Sequence, residues 1–505
     1  MSIPEEIRAV PRPKNSIVHA YGKNKDHYSV IARTGCVWKN GKAYPVNGAT
    51  IGHIIDGVYV PIEKPAAEPV SFSPITLKNW GSAQLCFDQI STLKEELLPF
   101  YTPEDAEKIL AIAILRVVNP GIKDYELKEE YDSSFLSELM PGVALSRNTV
   151  CTFVKNLGKA YDRIRSFMKL RAEKVGIDHH LLVDGTLKSD ESTVNSLSDF
   201  SRKARLKGSR DISVLYAFDY EKMEPVCSQC FPGNMLDLTA YDAFVKDNGI
   251  KQGILVGDKG FPEKSIEELL KEAPNLHYLN PLRRSAKIAK DHQMYSFEGV
   301  IEGKKGFLGQ AEPIQYKKAR LARMDKWLYS FRDPKRAARE EEDWLRRHQG
   351  EDYNSEEYQK KKDLFGTVVF ESDLNLSAEE AWEIYSYRWE IEIVMRFYKE
   401  ALCFDETRAH NDYSVLGSEL INFISTVITF SLIRLFTETK LFDDMTYKAI
   451  MRVLSKANKA RTGNGEWELL KMNPSQITIL QTLGLLPKPE EQPKRKRGRP
   501  RKQPL

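Results

Sequence analysis

Apolar residues recur at two different spacings along this chain, and the changes of spacing divide it. Near the N-terminus, "HYSVIA" and "CVWKNGKAYPV" contain short runs alternating apolar and polar positions, the two-residue period of half-buried strands. Asn40-Gly41 between such runs tolerates the positive φ of a tight hairpin turn. Residues 1–70 therefore read as a β-rich module, closed by the Pro-rich bridge "PIEKPAAEPVSFSP". From 76 to 172 the spacing becomes helical. Thr102 is placed to cap a helix that has Pro103 at its first position and acids in its first turn. Val150, Phe153, Val154, Leu157, Ile164 and Phe167 follow at three- and four-residue intervals, with Arg147, Lys155, Lys159, Arg163 and Arg165 on or near the other side. That pattern suits a DNA-contacting helix and an ordinary amphipathic one equally.

Strands and helices then alternate. "HHLLVDGT", "DISVLYAFD", "EPVCSQCFPGN", "GILVGDKGF" and "LHYLNPL" read as strands, with "DLTAYDAFVKDNG" and "PEKSIEELLKEA" as helices. The order β-β-β-α-β-α-β over 176–284 predicts a mixed sheet with helices packed on it. Residues 285–375 interrupt this with strand-like runs around a charged helical piece, and read as a β-rich insertion. Residues 376–436 are helical and complete the core; 437–485 form a C-terminal helical region. The tail, 486–505, is rich in Pro, Lys and Arg and is expected to be disordered when free. The fold class is multidomain α+β.

Composition adds a partner and removes some others. A chain of 505 residues exceeds what one core usually organises. The net charge of +4 names no partner by itself, but seven of the nine residues Lys494 to Lys502 are basic, a footprint for a polyanion. Leu420 to Ile433 falls short of the roughly 20 apolar residues that span a bilayer, and predicts a buried helix with no membrane partner. The N-terminus shows no apolar signal region, so the expected compartment is the cytoplasm. Cys227 and Cys230 have no second pair to complete a zinc site and are expected to be strand residues; His179 and His180 read as strand-edge residues.

Three carboxylates carry the candidate chemistry. Asp184 and Asp258 each end an apolar strand run, where mixed sheets open toward ligands. Either could simply cap a turn. In "AWEIYSYRWEIEIVMRFYKEAL", with Tyr385 at zero and about 100° per residue, Arg388, Glu392 and Lys399 fall at about 300°, 340° and 320°. Glu383 and Glu390 fall on the far side. One face thus holds a phenol, two cations and a single carboxylate, Glu392. The bland reading is an Arg388–Glu392 salt bridge. The functional one is an oxygen-rich site for Mg²⁺ or Mn²⁺ completed by the two Asp residues. Two such ions can activate an attacking oxygen and stabilise a leaving one in phosphodiester displacement.

Tyr385-x2-Arg388-x3-Glu392-x6-Lys399 resembles the Y-R-E-K signature of DDE transposases of the IS-four insertion-sequence family, with every interval kept. "LLVDGT", "LVGDKGF" and "FPGNMLD" resemble that family's segments around its first two acids and its Pro-Gly-Asn motif. The resemblance covers about 180–436. It implies a ribonuclease-H-like core and Asp184, Asp258 and Glu392 as a triad holding two Mg²⁺ ions, with Mn²⁺ possible in their place. It implies cut-and-paste transposition at terminal inverted repeats, with Tyr385, Arg388 and Lys399 on DNA phosphates and Trp389 supporting the bent end. It implies double-stranded DNA as partner and a dimer on the DNA ends. Trp327, in the insertion, is a candidate for stacking on an unpaired base, although a core role suits it too. Position alone assigns 1–70 and 76–172 to binding the inverted repeats. In the tail, Arg497, Gly498, Arg499, Pro500 and Arg501 resemble an AT-hook, which lies in a narrow A·T minor groove.

Two other readings stand beside this one. "VDGT" and "VGDKG" are also similar to haloacid-dehalogenase-like phosphatases, but Leu182 stands where those need an acid, as do Gly260 and Phe261. The other alternative is a catalytically inactive or domesticated DNA-binding protein of transposase origin.

Overall fold

The computed structural model describes residues 3–20, 27–62, 75–190, 192–200, 209–235, 237–257, 263–305, 311–321, 324–407 and 409–488. They fall into two compact units, Met1–Pro74 and Ile75–Leu505.

In the first unit, β1 (Ser16–Ala20), β2 (His27–Lys39), β3 (Lys42–Ile55) and β4 (Val58–Pro61) form an antiparallel sheet in chain order. Asn40 (φ 47°) and Gly41 (φ 70°) make the β2–β3 turn, and positive φ at both positions is what a type I′ hairpin requires. Val18, Tyr28, Val30 and Ile54 form the small core of this sheet.

The second unit begins with β5 (Ile75–Asn79) and a set of helices including α1 (Pro103–Val118) and α2 (Arg147–Lys159). The Thr102 hydroxyl accepts from the Asp105 N–H at 3.2 Å and starts α1. Next come β6 (His180–Asp190), β7 (Asp199–Phe200), β8 (Arg210–Asp219), β9 (Glu224–Pro232), α3 (Asp237–Asp247), β10 (Gln252–Val256) and β11 (Asn275–Leu282). The segment 285–375 contains β12 (Gly299–Lys305), β13 (Ala311–Leu321), β14 (Lys326–Arg332), α4 (Pro334–Arg347) and β15 (Thr367–Ser372). Then follow α5 (Ala378–Arg396), β16 (Glu406–Thr407), α6 (Asp412–Glu438), β17 (Asn458–Thr462) and β18 (Glu468–Leu469). The last two join β5 in a small sheet.

Among the described residues, a mixed sheet of 11 strands organises this unit. β6, β8 and β9 form an antiparallel meander, and β10 and β11 run parallel to β6 on its other side. β15, β14, β13 and β12 continue outward from β11, all antiparallel. The segment 285–375 therefore extends the core's own sheet rather than building a separate one.

The helices of 76–172 also share the core. α1 and α2 pack on α6, and one hydrophobic cluster runs from Trp80 to Leu483. α6 spans 27 residues and is apolar enough to cross a membrane, but most of it is buried inside the protein. Its crossing with α2 is made at two glycines. A Cβ on Gly158 would stand 1.8 Å from the Tyr413 carbonyl oxygen, and one on Gly417 1.9 Å from that of Val154.

Candidate active site

α5 holds the signature residues, and its start is fixed by a capping box. The Ser377 hydroxyl accepts from the Glu380 N–H at 3.1 Å, and the Glu380 carboxylate accepts from the Ser377 N–H at 2.7 Å. The bond from the Ser377 backbone keeps the Glu380 carboxyl below its usual value. Such a cap contributes about 1 kcal/mol. At its other end the helix widens into a π turn, Phe397–Ala401.

Aromatic contacts hold α5 along β6. Tyr387 stacks on Tyr220 with ring centroids 3.7 Å apart and meets the His180 ring at 5.2 Å. Farther along, the Tyr398 ring lies 5.9 Å from Lys188 Nζ and 5.6 Å from the Tyr216 ring. Glu392 lies midway between Tyr387 and Tyr398 on the helix, and Asp184 lies midway between His180 and Lys188 on the strand. Tyr216 is also the residue paired with Asp184 across β6 and β8. The helix thus runs along the stretch of β6 that holds Asp184.

Asp184 is half-buried, and its carboxylate accepts from the Gly185 N–H at 2.8 Å. Burial, and then the Asp184 charge, push the Tyr241 phenol of α3 far up. Val256 of β10 stands opposite Leu182 in parallel register, two residues before Asp184. Asp258 follows two residues beyond Val256 and lies outside the described residues, as do Arg497, Gly498, Arg499, Pro500 and Arg501 and the side chain of Trp389.

Tyr385, Arg388 and Glu392 stay together. Arg388 Nη1 is 3.2 Å from Glu392 Oε1, and the Arg388 guanidinium is 5.8 Å from the Tyr385 ring centre. Tyr385 is buried against Phe370 and Trp382, with centroids at 4.6 and 5.7 Å. Lys399 lies beyond the last α-helical residue, Arg396. It sits in the π turn, where the 100° step of an α-helix does not carry through. Burial raises the Asp211 carboxyl of β8, and the Lys399 charge draws it back down.

Tyr385 and Arg388 line a cavity of about 600 Å³ with Arg284, Lys335, Arg336 and Arg339. Two of these arginines share Glu340, Arg284 at 2.7 and 2.9 Å and Arg336 at 2.8 Å. Sequence reading did not connect these cations to the signature. For Lys335, Arg336 and Arg339 the sequence shows only the charge density of "DPKRAARE", which carries no long-range partner information, and Arg284 lies some fifty residues earlier.

Trp327 is half-buried on β14. Lys318 Nζ lies 4.5 Å and the Arg320 guanidinium 5.8 Å from its ring centre, so cations already cover the indole. Cys227 and Cys230 are buried on β9, where burial raises both thiols well above their ordinary range.

His179 and His180 have acidic partners that the sequence did not reveal. His179 Nδ1 is 2.8 Å from Asp219, and His180 Nδ1 is 2.6 Å from Glu221. Among the described residues, His179, Asp219 and Glu221 bring their ligand atoms within 4.8 Å of one another. This group sits where β6 begins, and it contains none of the three acids expected from the sequence.

Residues 178–415 match the protein family described as the transposase DDE domain. No curated protein matches the chain. Among solved structures, the piggyBac transposase synaptic complex with hairpin DNA, determined by cryo-EM, is similar with a TM-score of 0.40 and 11% identity. That similarity covers 75% of this chain and 80% of that one. The chain is thus similar to a transposase DDE domain over residues 178–415, a little under half of its length.

Proposed function

We propose that the protein is an insertion-sequence transposase of the IS-four family, which cuts at terminal inverted repeats and joins the freed 3′-OH ends to target DNA as a dimer. The observation that carries the reading is the transposase DDE match, because residues 178–415 contain Asp184, Asp258 and Glu392 together. The β6-β8-β9 meander with β10 and β11 parallel beside it supports a ribonuclease-H-like core.

Asp184, Asp258 and Glu392 are the residues that would hold divalent ions. All three offer carboxylate oxygens, a donor set that suits Mg²⁺ or Mn²⁺. Bound there, such ions would supply charge stabilisation at the scissile phosphate and a more acidic attacking water. Tyr385, Arg388 and Lys399 bind the phosphates of the cleaved end. Trp389 supports the bent end, and residues 497–501 take the minor groove, while the Lys318 and Arg320 cations over Trp327 favour its packing role on β14 over base stacking.

A second reading, a DNA-binding protein of transposase origin without cleavage activity, draws on the Arg388–Glu392 ion pair, which engages one carboxylate oxygen with a guanidinium. Glu392→Gln separates the two. Loss of Mg²⁺-dependent cleavage of element-end DNA, with binding kept, supports the transposase. A wild type that binds those ends and never cuts them supports the second reading.

A further inference from the structure

We propose that the outer part of the β2–β3 hairpin, residues 33–50, is an arm that lies in a groove of double-stranded DNA. The choice of DNA as the polyanion rests on the transposase reading. The fold of the first unit does not need this arm. Its core, Val18, Tyr28, Val30 and Ile54, lies wholly outside 33–50, and every residue from 33 to 50 is exposed. Among the described residues, neither β1 nor β4 pairs with this stretch; apart from the Arg33 N–H, which donates to the Asn15 carbonyl at 2.7 Å, both edges are open as well as both faces. An isolated two-stranded ribbon is marginal in water, and open edges invite a partner.

Three features favour a nucleic acid as that partner. Between His27 and Ile55 there is no Asp or Glu, while Arg33, Lys39 and Lys42 are basic. Large side chains stand in solvent near the tip: Trp38 is 73% exposed, Tyr44 52% and Val37 46%. Val37 pairs with Tyr44 and Trp38 with Ala43, so the two faces both present apolar surface between the cations. The shape also fits. Arg33 to Lys39 extends about 20 Å at ~3.4 Å per residue, and a major groove about 12 Å wide admits a two-stranded ribbon. Register shifts between Val30 and Gly35 mark where the arm leaves the sheet, and such bulges bend and twist a strand. A second copy of the arm is a poorer partner, because it would set like charges against one another.

The test uses the full-length protein and a fluorescein-labelled duplex of about 30 base pairs and mixed sequence. Lys39→Ala/Lys42→Ala should weaken binding several-fold and lower the log–log salt slope by about 1.8, the counterions of two phosphate contacts. Trp38→Ala should weaken binding with the salt slope unchanged. Thermal unfolding of these variants should match the wild type, since the residues changed lie outside the core. A direct readout uses Cys36, which is exposed on the arm. With the other exposed thiols removed as Cys151→Ser and Cys403→Ser, a benzophenone attached to Cys36 should crosslink to the bound duplex. Unchanged affinity and slope, or no crosslink to DNA that is bound, would overturn the proposal. So would a variant that loses self-association and keeps DNA binding, because the arm would then join copies of this chain. Binding is read here without cleavage, so a chain that never cuts DNA can still pass and one that cuts can fail.

Discussion

Arg388 and Glu392 form an ion pair one helical turn apart, 3.2 Å between Nη1 and Oε1, on the part of α5 that crosses β6. A pair of this kind on a helix contributes only a few tenths of a kcal/mol. Arg388→Ala should therefore cost less than about 1 kcal/mol of stability and still depress DNA end cleavage. Urea unfolding beside a cleavage assay checks this. A variant that unfolds would mean the pair is structural.

Glu419 is buried at the meeting of three elements. Its carboxylate accepts from Lys188 of β6, from the Tyr398 hydroxyl at 2.6 Å and from Asn422 at 2.8 Å. Glu419→Ala would leave the Lys188 cation buried without its partner, and should cost about 3–5 kcal/mol. Tyr398→Phe removes one hydrogen bond to a charge and should cost about 1.5–3 kcal/mol. Urea midpoints measure both, and a loss below about 1 kcal/mol for Glu419→Ala would contradict the burial.

Glu340 sets an acid limb to stability. Burial works to raise its carboxyl, but Arg284, the Gly366 N–H and Arg336 all donate to it and bring it from 4.5 down to about 2. Its folded value lies below its unfolded one. Its contribution is therefore present above about pH 4.5 and lost as pH falls toward about 2. The gap in urea midpoint between wild type and Glu340→Gln should shrink across that window. A constant gap would show that the charge of Glu340 does not matter.

Gly158→Ala tests the crossing of α2 and α6. The added methyl would meet the Tyr413 backbone at 1.8 Å, and backbone cannot swing aside as a flexible side chain can. A loss of about 1–3 kcal/mol is expected, read by chemical denaturation. An unchanged midpoint would mean the helices separate freely.

Removing residues 494–502 should weaken DNA binding across all sequences and flatten its salt dependence, because seven basic residues go with them. Fluorescence anisotropy over a salt series measures both. An unchanged slope would mean the tail makes no phosphate contacts.

Features written in neighbouring residues could be read from the sequence. The Asn40-Gly41 turn, the Thr102-Pro103 helix start and the strand runs around Asp184 each need only a few adjacent side chains. Tyr385, Arg388 and Glu392 could be grouped because they lie within a regular α-helix. The π turn that carries Lys399 could not be read there, since it depends on what the next residues pack against. Here that is Tyr398, drawn inward to Glu419, twenty-one positions away along the chain. The pairings of His179 with Asp219 and His180 with Glu221 depend on β6 and β8 lying side by side. The common core of α1, α2 and α6 is likewise a product of packing, and a hydrophobic helix face does not say which neighbour covers it.

α5 rests on β6 and β10 and also on β12, β13 and β14, while Trp382 and Tyr385 fasten it to Phe331 and Phe370. It is a crossbeam nailed to both halves of one floor. A ligand that tilts the outer strands must drag the beam with it, and so shift Glu392 from a distance. The segment between β11 and α5 is in this sense a handle on Glu392 as well as a surface beside it.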